Sequence, residues 1–197
     1  MQSFGADKKM SIEHKARSGK TYYLHVTPGP NGKAKHFFST KSDSSLAQAI
    51  PDGYEIFENV NAQVFLIRKT TPLIRDDEIS LIQFALKKHA EEWKYKAEIK
   101  KNMIVIHEAC QEYDWLHLLP HWGDKSKLEQ IKIQNTNYMP IMRFVLEDKE
   151  SRTFRAERYC FKGSIDDWIF VGLPNKLNVL GRKFIKHLGQ ESFYGLM

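Results

Sequence analysis

The sequence predicts an α+β protein in which several antiparallel β-hairpins pack with about three helices. Three observations carry this. Short aromatic and β-branched runs recur between turn signals, one long stretch has helical periodicity, and strands and helices do not alternate as βαβ units require. With 197 residues, 42% of them hydrophobic and 12% aromatic, the chain has material for one sizeable core, or a core plus a small module.

Residues 1–19 are polar and aperiodic, and are expected to form a mobile basic arm. From Lys20 the pattern changes. Tyr22 to Val26 and His36 to Ser39 read as paired strands, joined by a turn with Pro-Gly-Pro and Asn-Gly steps. Ser44 and Ser45 before Leu-Ala-Gln-Ala-Ile predict a short capped helix, stopped at Pro51-Asp52-Gly53. Gly53 to Glu58 and Ala62 to Lys69 predict a second hairpin across Asn59-Val60-Asn61. Residues 20–70 thus read as a β-β-α-β-β subdomain. Thr70 to Pro72 mark a junction, and 71–197 reads as an α+β subdomain packed on the first to make one compact domain.

One long amphipathic helix is expected near 76–95, capped by Asp76 or Asp77. Ile79, Ile82, Leu86, Ala90 and Trp93 recur at spacings of three and four, with Lys87, Lys88, Glu91 and Glu92 opposite. Tyr95 to Ile106 predicts a hairpin around Lys100-Lys101-Asn102. A stretch rich in His and Trp follows, then a short helix from Lys125 to Gln134. Ile141 to Glu147 and Arg152 to Phe161 predict a hairpin across Asp148-Lys149-Glu150-Ser151, and Trp168 to Val171 a short strand. A last helix from Asn175 to Leu188 buries Leu177, Leu180, Phe184 and Leu188 and ends at Gly189.

Composition excludes several classes. No apolar run approaches the roughly 20 residues that span a bilayer, so no membrane segment is expected. Met1 to Lys20 lacks the apolar stretch of a secretory signal. Cys110 and Cys160 are the only cysteines, which points to free thiols in a reducing cytoplasm.

Charge is distributed unevenly. Residues 1–41 hold eight bases against Asp7 and Glu13, so they carry the chain's entire net charge of +6; the remainder balances 22 bases with 22 acids. Such asymmetry favours contact with a polyanion. The first hairpin sets Tyr22, Tyr23, His25, His36, Phe37 and Phe38 among lysines, the combination that single-strand binding uses. Alternation divides these aromatics, with Tyr22 and Leu24 on one face and Tyr23 and His25 on the other. The candidate nucleic-acid-binding residues are Lys15, Arg17, Lys20, Lys33, Lys35, Lys41, Tyr23 and His25. The competing explanation is a solubilising tail.

Four further constellations carry side chains with possible chemistry. His107, Cys110, His117 and His121 have side chains that zinc accepts, but Pro120 disrupts the last pair and only one thiolate is present, so no metal is assigned. His25 and Thr27 form a single H-x-T step, and a paired-imidazole phosphoesterase needs two. Glu98-Ile99-Lys100 has the E-x-K form of half a metal-dependent nuclease site; its second acid would have to be Asp76 or Asp77, which helix capping already explains. Asp166-Asp167 after Gly163-Ser164 fits a tight turn or one capped helical turn. There is no phosphate loop, dinucleotide-binding glycine turn, nucleophile elbow or H-E-x-x-H.

The stretches Lys20-Thr-Tyr-Tyr-Leu-His, Ile50-Pro-Asp-Gly-Tyr-Glu-Ile-Phe-Glu-Asn, Asn61-Ala-Gln-Val-Phe-Leu, Cys160-Phe-Lys-Gly-Ser-Ile-Asp-Asp-Trp-Ile and His187-Leu-Gly-Gln-Glu-Ser-Phe-Tyr resemble a group of uncharacterised bacterial proteins of similar length. The resemblance implies a bacterial cytoplasmic setting and transfers no site residues. The leading expectation is therefore a non-catalytic accessory protein that contacts nucleic acid through its N-terminal arm and first hairpin, without a cofactor. The alternatives are a protein–protein adaptor using Tyr113, Trp115 and Trp122, and a metal-dependent hydrolase using Glu98 and Lys100.

Overall fold

The computed structural model describes residues 11–30, 32–91, 93–110, 127, 130, 131, 134–162 and 164–196. It has the α+β architecture, with three antiparallel sheets among the described residues. The chain divides into two compact units, Met1–Thr70 and Thr71–Met197.

In the first unit, strands β1 (Glu13–Lys15), β2 (Thr21–Pro28) and β3 (Ala34–Ser39) form a sheet in that order, and β4 (Tyr54–Glu58) pairs with β5 (Val64–Arg68). The arm expected over 1–19 is thus partly structured. Glu13, His14 and Lys15 pair with Tyr23, Tyr22 and Thr21, and Ala16 is buried. The helix expected after Ser44 is also corrected. Leu46 bridges His25, while Ala47 donates its N–H to the Leu24 carbonyl at 2.7 Å and Val26 donates to Ser45 at 2.8 Å. An edge of β2 with open backbone groups outcompetes a local helical preference, because those groups need partners.

The core of this unit is small: Ala16, Ala62 and Val64, with Tyr22, Phe38 and Ile56 packed around them. Polar ties supplement it. Glu58, at the end of β4, accepts the Arg17 backbone N–H at 2.8 Å and contacts His14 Nε2 at 2.7 Å.

The second unit has a five-stranded antiparallel sheet in the order β10-β9-β8-β7-β6. Its strands are β6 (Tyr95–Lys100), β7 (Met103–Ala109), β8 (Tyr138–Asp148), β9 (Thr153–Lys162) and β10 (Ile165–Lys176). Helices α1 (Asp76–His89) and α2 (Leu177–Phe184) share its core, where Ile82, Leu86, Leu180 and Phe184 meet Ile104, Ile106, Phe144 and Phe154. A short helix α3 (Glu191–Tyr194) closes the described chain. Lys127, Gln130, Ile131, Gln134 and Asn135 are also helical.

Helix α1 starts one residue after Arg75, whose backbone N–H is accepted by Glu78 at 2.9 Å, so the cap is not Asp76 or Asp77. Acids fill its first turn and Lys87, Lys88 and His89 its last, matching the helix dipole. It ends before the expected Trp93. His89 Nε2 donates to the Leu188 carbonyl at 2.9 Å, and Ala90 is extended. The Asp148 turn forms as expected, with its carboxylate accepting the N–H groups of Glu150 at 2.7 Å and Ser151 at 2.9 Å. Strand β10 is much longer than the expected 168–171, and it contains Asp166 and Asp167, which were expected in a turn. Gly172 is required where it stands. A Cβ there would lie 2.7 Å from Phe184 Cζ, so the missing side chain lets α2 seat its ring on the sheet. No helix among the described residues is long and apolar enough to cross a membrane.

Candidate nucleic-acid interface

The register of the first sheet sorts its side chains. Tyr23 pairs with Glu13 and Ser39, His25 with Phe37, Thr27 with Lys35, and Lys15 with Thr21. Directly opposed residues in an antiparallel pair share a face, and alternate residues along a strand do too. One face therefore carries Lys15, Tyr23, His25, Lys35 and Phe37. The other carries His14, Tyr22, Leu24 and Phe38, and its Tyr22 and Phe38 pack on the small core. The first face points away from that core.

His25 cannot meet a ligand directly. It is 1% exposed, its Nε2 donates to the Lys41 carbonyl at 3.0 Å, and its Nδ1 bonds Ser45 Oγ at 2.7 Å. Ser45 in turn donates to Asp43 at 2.6 Å. Phe37 lies parallel beside the imidazole, with ring centroids 5.2 Å apart and planes 11° apart, and stays 37% exposed. His25 is thus a buried, fixed neighbour stacked beside a partly exposed aromatic ring. Alternation alone does not single Phe37 out among the six aromatics of this hairpin.

The six basic candidates divide. Lys15 and Lys35 are exposed on the Tyr23–Phe37 face, and Lys41 is exposed on the segment that crosses it to reach His25. Lys33 is exposed at the β2–β3 tip, where its carbonyl accepts the Gly29 N–H. Lys20 is exposed in the β1–β2 turn. Arg17 is directed elsewhere, with its guanidinium donating to the Val60 carbonyl. Two acids share the region, Glu13 on the same face and Asp43 beside Ser45. Hydrogen bonds from the Ser45 hydroxyl and N–H hold the Asp43 carboxyl below its ordinary range, so it stays charged.

The second unit brings together part of the hydrolase constellation. Glu98 and His107 are 7% and 3% exposed, with His107 Nε2 3.9 Å from Glu98 Oε2 and Lys100 Nζ 3.1 Å from the same oxygen. Among the described residues both Glu98 carboxylate oxygens and His107 Nδ1 lack a hydrogen-bond partner, and the Glu98 charge is countered by the ion pair with Lys100. Burial holds the His107 imidazole below its ordinary pKa; Glu98 opposes that shift and Lys100 adds to it. Two ligands beside an ammonium do not make a cation site. Among the described residues no group of three His, Cys, Asp or Glu side chains is placed to hold a metal ion. Asp76 and Asp77 are in the first turn of α1, as dipole partners. Cys110 is exposed while His107 is buried, and His117 and His121, like Tyr113, Trp115 and Trp122, lie outside the described residues.

Strand β10 is the last strand of its sheet and leaves Phe161 and Leu173 82% and 81% exposed nearby. Its edge is blunted. Asp167 accepts the Trp168 N–H and Asn175 accepts the Lys176 N–H, both at 2.7 Å, and Pro174 has no N–H to give.

No family model, curated protein or solved structure matches this chain.

Proposed function

We propose that this protein binds a polyanion, specifically nucleic acid, through the outward face of its first sheet. The observation that carries this is the shared face of Lys15, Lys35, Tyr23 and Phe37, with Lys41 crossing it. Lysines neutralise phosphates and release counterions, so a surface of this kind gains most of its affinity from charge. The face lies in the segment that holds all the excess positive charge of the chain. Arg17 and His25 leave the set of contact residues, the first because it is tied to Val60 and the second because it is buried.

Binding of a labelled oligonucleotide across a salt series tests this. Three phosphate contacts predict log K falling against log salt with a slope of about −2 to −3. The charge-reversed triple variant Lys15→Glu/Lys35→Glu/Lys41→Glu is expected to lose binding. Lys149→Glu, in the β8–β9 turn of the second unit, is expected to retain it. Salt-independent binding, or equal loss in both variants, would overturn the proposal.

A further inference from the structure

We infer that the strand bound is single, with its bases stacked on Phe37 and Tyr23; this rests on the nucleic-acid function proposed above. Phe37 is stacked beside His25, and that imidazole is itself fixed at both nitrogens, by Lys41 and Ser45. Part of one face of the phenyl ring is therefore covered by a fixed neighbour before any ligand arrives. Tyr23 is on the neighbouring strand and the same face, one step diagonal from Phe37, so the sheet offers two rings to successive bases. Lys35 on β3 and Lys15 on β1 flank the rings on either side, where a backbone running across the strands would place its phosphates.

A duplex presents no free base face to a flat sheet. Reading its major groove takes a helix or a two-stranded ribbon inserted into the groove. The face that carries the lysines and Phe37 is the broad side of a three-stranded sheet rather than an inserted helix or two-stranded ribbon. Aromatic rings on a sheet surface between lysines suit unpaired bases, which every sequence can supply, so the expected preference is for strandedness rather than for sequence.

The experiment compares a fluorescein-labelled oligo-dT of about 12 nucleotides with a duplex of the same length, at equal salt. The intact chain is expected to favour the single strand. Phe37→Ala should weaken single-strand binding on the order of tenfold and leave duplex binding unchanged. Phe37→Trp should keep the affinity, and its added emission, taken against the four native tryptophans, should be quenched when oligo-dT binds. A duplex preference, or a Phe37→Ala variant that binds oligo-dT as well as the intact chain while Lys35→Glu still weakens it, overturns stacking and leaves polyanion binding standing. No binding of either probe at low salt overturns both.

Discussion

The second unit buries nineteen hydrophobic residues in one continuous core, whereas the first has three in its own, among the described residues. Both are made of antiparallel hairpins, yet the smaller one relies on polar ties: Glu58 to Arg17 and His14, and His25 to Lys41 and Ser45. The contrast extends to their surfaces. The first sheet uses one face for its small core and turns the other outward with lysines and a partly exposed phenyl ring. The second unit packs helices on its sheet and blunts the strand at its end. A sheet that is half committed to packing has a face to spare for a ligand, and the cost is a shallower core.

From that contrast, the largest effects belong to the second unit and come from apolar burial. Phe144→Ala, at a residue that is 0% exposed, should destabilise it by about 4 kcal/mol, read by chemical denaturation. Next comes its buried ion pair. Glu78 accepts Arg152 Nε at 2.9 Å as well as the Arg75 N–H, and Glu78→Ala should cost about 3 kcal/mol by the same measurement.

In the first unit a single polar change should be enough to loosen the structure. Glu58→Ala leaves the Arg17 N–H without its acceptor and should cost about 2 kcal/mol, seen as faster hydrogen exchange in β1 while the second sheet is unchanged. Exchange that also rises in β7 and β8 would break the comparison. The smallest expected effect is a pH dependence of the second unit. Because burial depresses the His107 pKa, the unfolded chain takes up a proton first as pH falls through about 6.5. Stability is therefore complete above that value and declines below it, toward the lower folded pKa. His107→Gln should flatten that part of the stability–pH curve.

The elements legible in the sequence were those with their own local signature. The Asp148 turn supplies its own acceptor for two N–H groups, and α1 combines periodic Ile82 and Leu86 with acids at its start and bases at its end. What escaped depends on partners distant in sequence. Glu-His-Lys at 13–15 has no strand pattern of its own and is a strand because β2 offers an edge. The Leu46 segment looks helical by composition but follows the same edge. Alternation correctly grouped Tyr23 with His25. It gave no sign that Ser45 and Lys41 would seal the imidazole and leave Phe37 as the outward ring, since that requires the fold of residues 39–47 over the sheet. The approach of His107 to Glu98 was likewise hidden, because it is set by the pairing of β6 with β7.

The most direct test is backbone and side-chain NMR of the intact chain titrated with oligo-dT. The predicted result is a contiguous set of shifts at Lys15, Tyr23, Lys35, Phe37 and Lys41, with Phe161, Phe170 and Leu173 of the second unit unmoved. Shifts confined to the second unit, with the first sheet silent, would contradict the assignment of the binding face.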